Sequence, residues 1–141
     1  MTNDELQLMV HGPSADETKR AAFRQMTSAL RFAYTAWEYA AIRGSATATG
    51  AYATYALRNV DEACRLLNCA RHALAEKLQA VSDWLEGKGL FGICAPVRTE
   101  DGHVCVMKKT AAQLVEQMGM YCDAYIALLK AQKAAKEAQK A

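Results

Sequence analysis

Between residues 57 and 85 the apolar side chains fall on alternating steps of three and four: Leu57, Val60, Cys64, Leu67, Leu74, Leu78, Val81 and Leu85. That spacing keeps one edge of an α-helix apolar and requires another helix against it. One position interrupts the run, because Arg71 stands where an apolar residue is due. A charge in such a seam pairs, faces solvent or meets a partner, since burying it alone is costly. Read as one rod from Ala51 to Glu86, the segment spans roughly 54 Å. A compact chain of this length is about 37 Å across. Either the rod breaks, or the protein is elongated and covers its seam with a partner or a second copy; a periodicity that keeps its phase across Arg71 favours the second.

Two further helices are predicted. Ser14-Ala-Asp-Glu17 matches a capping box, and Phe23, Met26, Leu30, Tyr34 and Trp37 continue one apolar face to Gly44, giving a helix over 14–43. The stretch from Gly44 to Gly50 has no large side chain and reads as a turn or a close helix contact. Gly87 and Gly89 stop the 51–86 helix. Phe91, Ile93, Val97, Val104 and Val106 then flank Thr99-Glu-Asp-Gly102, which predicts a β-hairpin over 90–107 with Pro96 marking an edge strand. A second capping box, Thr110 to Gln113, opens a helix over 110–138. Its face of Leu114, Met118, Tyr121, Tyr125 and Leu128 is widened by Val115, Cys122, Ile126 and Leu129. The expected fold is mainly α: three long helices packed as an elongated bundle, with one β-hairpin between helices 2 and 3. Residues 1–13 form an arm and 14–141 a single domain.

Charge narrows the classes of function. Net charge is +2, and the signs balance along the chain: five of each over 1–57, eight positive against seven negative over 58–110, four against three over 111–141. Nucleic-acid modules and membrane-surface helices cluster their basic residues, and no such block is present. Five cysteines, an odd number without a secretion signal, point to a reducing compartment and a cytoplasmic location.

Catalytic and cofactor chemistry finds no complete constellation. Gly87-Lys-Gly89-Leu-Phe-Gly92 spells a nucleotide fingerprint, but it follows a helix and enters a strand, the reverse of the required order. Cys94, His103 and Cys105 are too few and too loosely spaced for zinc. Cys64 and Cys69 lie off a common helical face. His103 with Cys105, or His72 beside Cys69, supplies two members of a nucleophile set at most, and His11 lies in the arm. No enzyme activity, metal or cofactor is expected.

Aromatic residues are concentrated instead. Phe32, Tyr34, Trp37, Tyr39, Tyr52 and Tyr55 are six of the eleven aromatics, packed into 24 residues around the small-residue turn. One face cannot bury all of them, because Trp37 and Tyr39 point well apart on a helix. They form either an aromatic corner of the core or a binding surface. Tyr34, Trp37, Tyr39, Tyr52, Tyr55 and Arg71 are the candidate partner-binding residues.

Residues 60–110 also resemble a winged helix-turn-helix of the kind found in MarR-like regulators. Val60-Asp-Glu-Ala-Cys-Arg-Leu-Leu-Asn68-Cys69 is similar to the first helix and turn, with Asn68 at the left-handed position. Leu85-Glu-Gly-Lys-Gly-Leu90 resembles the exit toward the wing, and Thr99-Glu-Asp-Gly102 its tip. The resemblance implies that Arg71 to Glu86 is a recognition helix and the terminal helices a dimer interface, with Arg71, His72, Lys77 and Arg98 facing DNA. It requires a helical break near Asn68, with Arg71 leading the second piece, whereas the seam predicts continuity. On the seam, the expected function is a protein interaction module, dimeric and without membrane attachment, such as a phage or mobile-element inhibitor or adaptor that binds a host complex. A dimeric DNA-binding regulator and a small-ligand binder using the aromatic turn are the alternatives.

Overall fold

The structure, a computed structural model, describes residues 16–90 and 92–140. The expected arm, Ser14 and Phe91 lie outside them. Helix α1 (Glu17–Glu38) runs into a π-helical turn (Tyr39–Arg43), followed by α2 (Ala46–Leu67), α3 (Arg71–Gly87), a hairpin of β1 (Cys94–Arg98) and β2 (Val104–Lys108), and α4 (Ala111–Lys140). The protein is mainly helical with one antiparallel hairpin, and it has four helices where three were expected.

The rod from 51 to 86 does not exist. Asn68 adopts φ 49°, ψ 54°, and the amides of Asn68 and Cys69 donate to the carbonyls of Arg65 and Cys64 at 3.3 and 3.0 Å. That pair of bonds is a Schellman stop, a role Asn fills because its short polar side chain tolerates the left-handed region. Arg71 interrupts the seam because it is the first residue of a new helix. Each half of the seam is amphipathic on its own: Leu57 and Val60 are buried from α2, and Leu74, Leu78 and Val81 from α3. The break also removes the length conflict, since α2 and α3 span roughly 33 and 26 Å.

Helix starts follow from short-range chemistry. Asp16 caps α1, its carboxylate accepting from the Thr18 amide at 2.8 Å. Ser45 caps α2 through the Ala48 amide at 3.3 Å, beginning that helix earlier than residue 51. The second capping box closes reciprocally: the Thr110 amide donates to Gln113 Oε1 at 2.9 Å, and the Gln113 amide to Thr110 Oγ1 at 3.2 Å. Helix α3 has Ala70 at its cap, in extended backbone with no side-chain acceptor. Ala70→Ser is therefore expected to raise stability by about 1 kcal/mol, measured as a higher urea midpoint with an unchanged slope.

The core lies between α1, α2 and the first half of α4, with α3 and β1 closing it. Helices α1 and α2 bury rows of alanine, Ala22, Ala29, Ala33 and Ala36 on one and Ala53, Ala56 and Ala63 on the other, which permits close packing of two long helices. Met26, Leu30, Trp37, Leu114 and Met118 fill the remaining space. Where α4 crosses α2, a Cβ on Gly50 would lie 2.2 Å from Tyr125 Cβ, so the small-residue stretch serves as both turn and close contact. At the far end of α3, Gly89 (φ 73°) is the left-handed stop, and Ser82 Oγ accepts the buried Ile93 amide at 2.8 Å, fixing the entry to β1.

Candidate functional site

The aromatic cluster divides in two. Trp37 is 3% exposed and donates from Nε1 to Gln117 Oε1 at 2.7 Å, which joins α1 to α4. It is a core residue, and its expected place on a binding surface is corrected: position 37 continues the Met26–Ala33 face that α2 and α4 cover. Tyr34 is half-buried and lines an open cleft of about 540 Å³ with Thr27, Leu30, Arg31, Thr35, Leu85 and Leu90.

The other rings meet at the outer surface of the α1–α2 pair. Tyr39 stacks on Tyr52 with centroids 5.4 Å apart, Phe32 lies 6.1 Å from Tyr52 and 5.6 Å from Tyr55, and Tyr52 meets Tyr55 edge-on at 6.0 Å. None of the four is buried; Tyr55 is 45% exposed. The arrangement follows from helix spacing. Phe32 and Tyr39 are seven residues apart on α1 and its π turn, Tyr52 and Tyr55 three apart on α2, so each pair forms one stripe and the two stripes abut. At one end the Arg43 guanidinium lies 5.8 Å over the Tyr39 ring while pairing with Glu38 at 3.7 Å. The result is a ledge of four rings, with a cation at its edge and hydroxyl groups on three rings. Phe32 was not among the expected partner-binding residues; its seven-residue spacing from Tyr39 was the available signal. The four rings line neither the cleft beside Tyr34 nor a second one, of about 430 Å³, between Trp37, the hairpin and Tyr121.

The residues that the winged-helix resemblance would turn toward DNA are dispersed or engaged. Arg71 makes a two-pronged contact with Asp61, Nε to Oδ1 at 2.7 Å and Nη2 to Oδ2 at 2.8 Å, tying the start of α3 back to α2. Arg98, itself exposed, reaches from the hairpin to the π turn and donates to the carbonyls of Ala41 and Ile42 at 3.0 and 2.9 Å, groups that turn leaves without intrahelical partners. Lys77 is half-buried, and His72 is exposed. Along α3 the two cations Arg71 and Lys77 are outnumbered by Glu76, Asp83 and Glu86, and the hairpin tip carries Glu100 and Asp101. Asp101 accepts from Thr99 and His103, which hold its carboxyl below the usual carboxylate range.

The thiols are placed differently from expectation. The stop at Asn68 folds Cys69 back over Cys64, so the argument that they lie off a common helical face, valid for a continuous helix, does not apply. Burial first, and then the neighbouring Cys69, push the Cys64 thiol up. Among the described residues no group of three His, Cys, Asp or Glu side chains is placed to hold a metal ion, and no helix is long and apolar enough to cross a membrane.

Comparisons with protein-family models, with curated proteins and with solved structures find no match to this chain.

Proposed function

We propose that the protein is a non-catalytic interaction module that docks another protein on the ledge of Phe32, Tyr39, Tyr52 and Tyr55. The observation that carries this reading is a set of four mutually packed rings at the surface of two helices, with Tyr55 exposed and Phe32, Tyr39 and Tyr52 half-buried beside it. Aromatic side chains give large contact area for little lost rotamer freedom, and rings already stacked against one another lose still less on binding. The Tyr hydroxyls and Arg43 add directional contacts at the rim, where Arg and Tyr are enriched in interfaces. An inhibitor or adaptor of a host complex, of the kind mobile elements encode, suits a small preformed surface of this type. The test is affinity capture from the native host with a tagged protein, with and without nuclease. The reading predicts a protein retained in both conditions and lost with the double variant Tyr52→Ala/Tyr55→Ala. Capture that vanishes on nuclease treatment, or that ignores the double variant, overturns it.

The break at Asn68 favours a second reading, since helix, turn, helix, hairpin and long helix now follow in winged-helix order. Against it stand the acidic excess on α3 and at the hairpin tip, which would face phosphates, and the engagement of Arg71 and Arg98 within the protein. A gel shift at low salt that Arg71→Ala weakens would establish DNA binding; Arg71→Ala is otherwise expected to alter stability by less than about 1 kcal/mol, because the pair is exposed.

A further inference from the structure

Strand β2 is exposed at every residue, and most of it is apolar: Val104 45%, Val106 60% and Met107 48%. Its backbone has a definite phase. The Thr99 amide donates to the His103 carbonyl at 2.7 Å and the Lys109 amide to the Ile93 carbonyl at 2.9 Å. In the register Val97↔Cys105, Ala95↔Met107 and Pro96↔Val106, those bonds make 99/103, 97/105, 95/107 and 93/109 the hydrogen-bonded pairs. Val104, Val106 and Lys108 therefore turn their N–H and C=O groups away from β1. Pro96, which has no N–H, sits where its nitrogen also faces away from the hairpin partner, toward the α1 side that covers β1. Among the described residues the sheet has two strands, and nothing pairs with the outer edge of β2. Natural edge strands are shielded by charges, prolines or bulges along the strand; the middle of this one has none.

We infer that the outer edge of β2 is a self-association site, where the β2 strands of two copies pair antiparallel about a two-fold axis at Val106 to make a four-stranded sheet. Three features identify the occupant as a second copy. First, centring on Val106 uses every outward group: Val106 pairs with its own counterpart and Val104 with Lys108, giving six backbone hydrogen bonds. Second, the strand's ends carry opposite charge, Glu100 and Asp101 at the tip and Lys108 and Lys109 at the base. Antiparallel pairing sets the base of one copy beside the tip of the other, whereas parallel pairing would set like charges together. Third, the pairing sets Val106 against its own counterpart and Val104 against the aliphatic stem of Lys108 of the second copy, a self-complementary arrangement of the kind a two-fold interface needs. Lys108 already contacts Glu86 of its own α3 at 2.9 Å, which leaves Lys109 as the base cation nearest the partner tip. The inference is independent of the aromatic ledge.

The fold provides a clean variant. The Val106 amide makes no bond within the hairpin, so Val106→Pro removes an outward donor at a position where an edge strand accepts proline. Val106→Lys instead places two like charges across the axis and asks nothing of the backbone. Sedimentation velocity from micromolar to submillimolar concentration is expected to show a reversible dimer, weakened at least about tenfold by either variant, with unchanged circular dichroism and thermal midpoint for Val106→Lys. Hydrogen exchange is expected to slow with concentration at the amides of Val104, Val106 and Lys108, while Cys105 and Met107 are protected throughout. A monomer at every concentration overturns the inference. So does a dimer that both variants leave intact, which would move the contact to another face such as the exposed Ile126 and Leu129 of α4.

Discussion

Trp37→Ala is expected to cost about 3–5 kcal/mol of folding stability, the range for emptying the space of a buried aromatic side chain. The side chain is almost wholly buried among α1, α2 and α4, and its removal also strands Gln117 Oε1, which loses its donor. Domains of this kind have about 5–15 kcal/mol in total, so the loss is about a fifth of the stability or more. It should appear in urea unfolding as a lowered midpoint and in calorimetry as a thermal midpoint lower by roughly 10 °C. Trp37→Phe keeps most of the volume and should lose far less. If Trp37→Ala instead left stability unchanged, Trp37 would belong to the binding surface, the other of the two places the sequence leaves open for it.

Gly50→Val is expected to be nearly as damaging, at about 3 kcal/mol, for the opposite reason. A Cβ at position 50 would fall 2.2 Å from Tyr125 Cβ and 2.4 Å from Cγ, atoms that cannot move aside without shifting α4. The cost is overpacking: α4 must be pushed off α2, because a new Tyr125 rotamer would move its ring but not its Cβ. Because the crossing also brings Thr54 Oγ1 to 3.5 Å from Cys122 Sγ, separation there should raise the reactivity of Cys122 toward a thiol reagent. Gly119, where an added Cβ meets nothing within 4 Å, supplies the control: Gly119→Ala on the same helix should be neutral or slightly stabilising, through helix propensity.

What the sequence disclosed was what short-range chemistry determines. The Thr110–Gln113 box and the turn at Thr99–Gly102 depend on residues within four positions of one another, and both form as read. The break at Asn68 was concealed because its two flanking helices are each amphipathic and happen to remain in register. Asn is a weaker stop signal than Gly, and the signs of discontinuity were Arg71 in the seam and the winged-helix resemblance, which placed a turn at Asn68. The aromatic cluster showed the opposite limitation. Spacing proved that the rings could not all share one face, but which of them α4 covers depends on a tertiary contact through Gln117, 80 positions away from Trp37. Strand β2 read like any β-branched run, buried or not. Its exposure follows from the sheet having no third strand, which no local pattern records. Likewise Ile126 and Leu129 widen the apolar face of α4 but are exposed. The contacts of Thr54 with Cys122 and Gly50 with Tyr125 show α2 running antiparallel to α4, and α2 starts at Ala46 with only small side chains, so it reaches its end near Leu129 with nothing large to cover it.

Binding of protein by the partly exposed ring ledge is tested most directly by the affinity of a captured partner for alanine variants at Phe32, Tyr39, Tyr52 and Tyr55, each checked for an unchanged thermal midpoint. The account predicts that at least one of Tyr52 and Tyr55 loses about thirtyfold or more, the size of an interface hot spot, while Tyr34→Ala, away from the ledge, binds normally. Four folded variants that bind as tightly as the parent protein would contradict it.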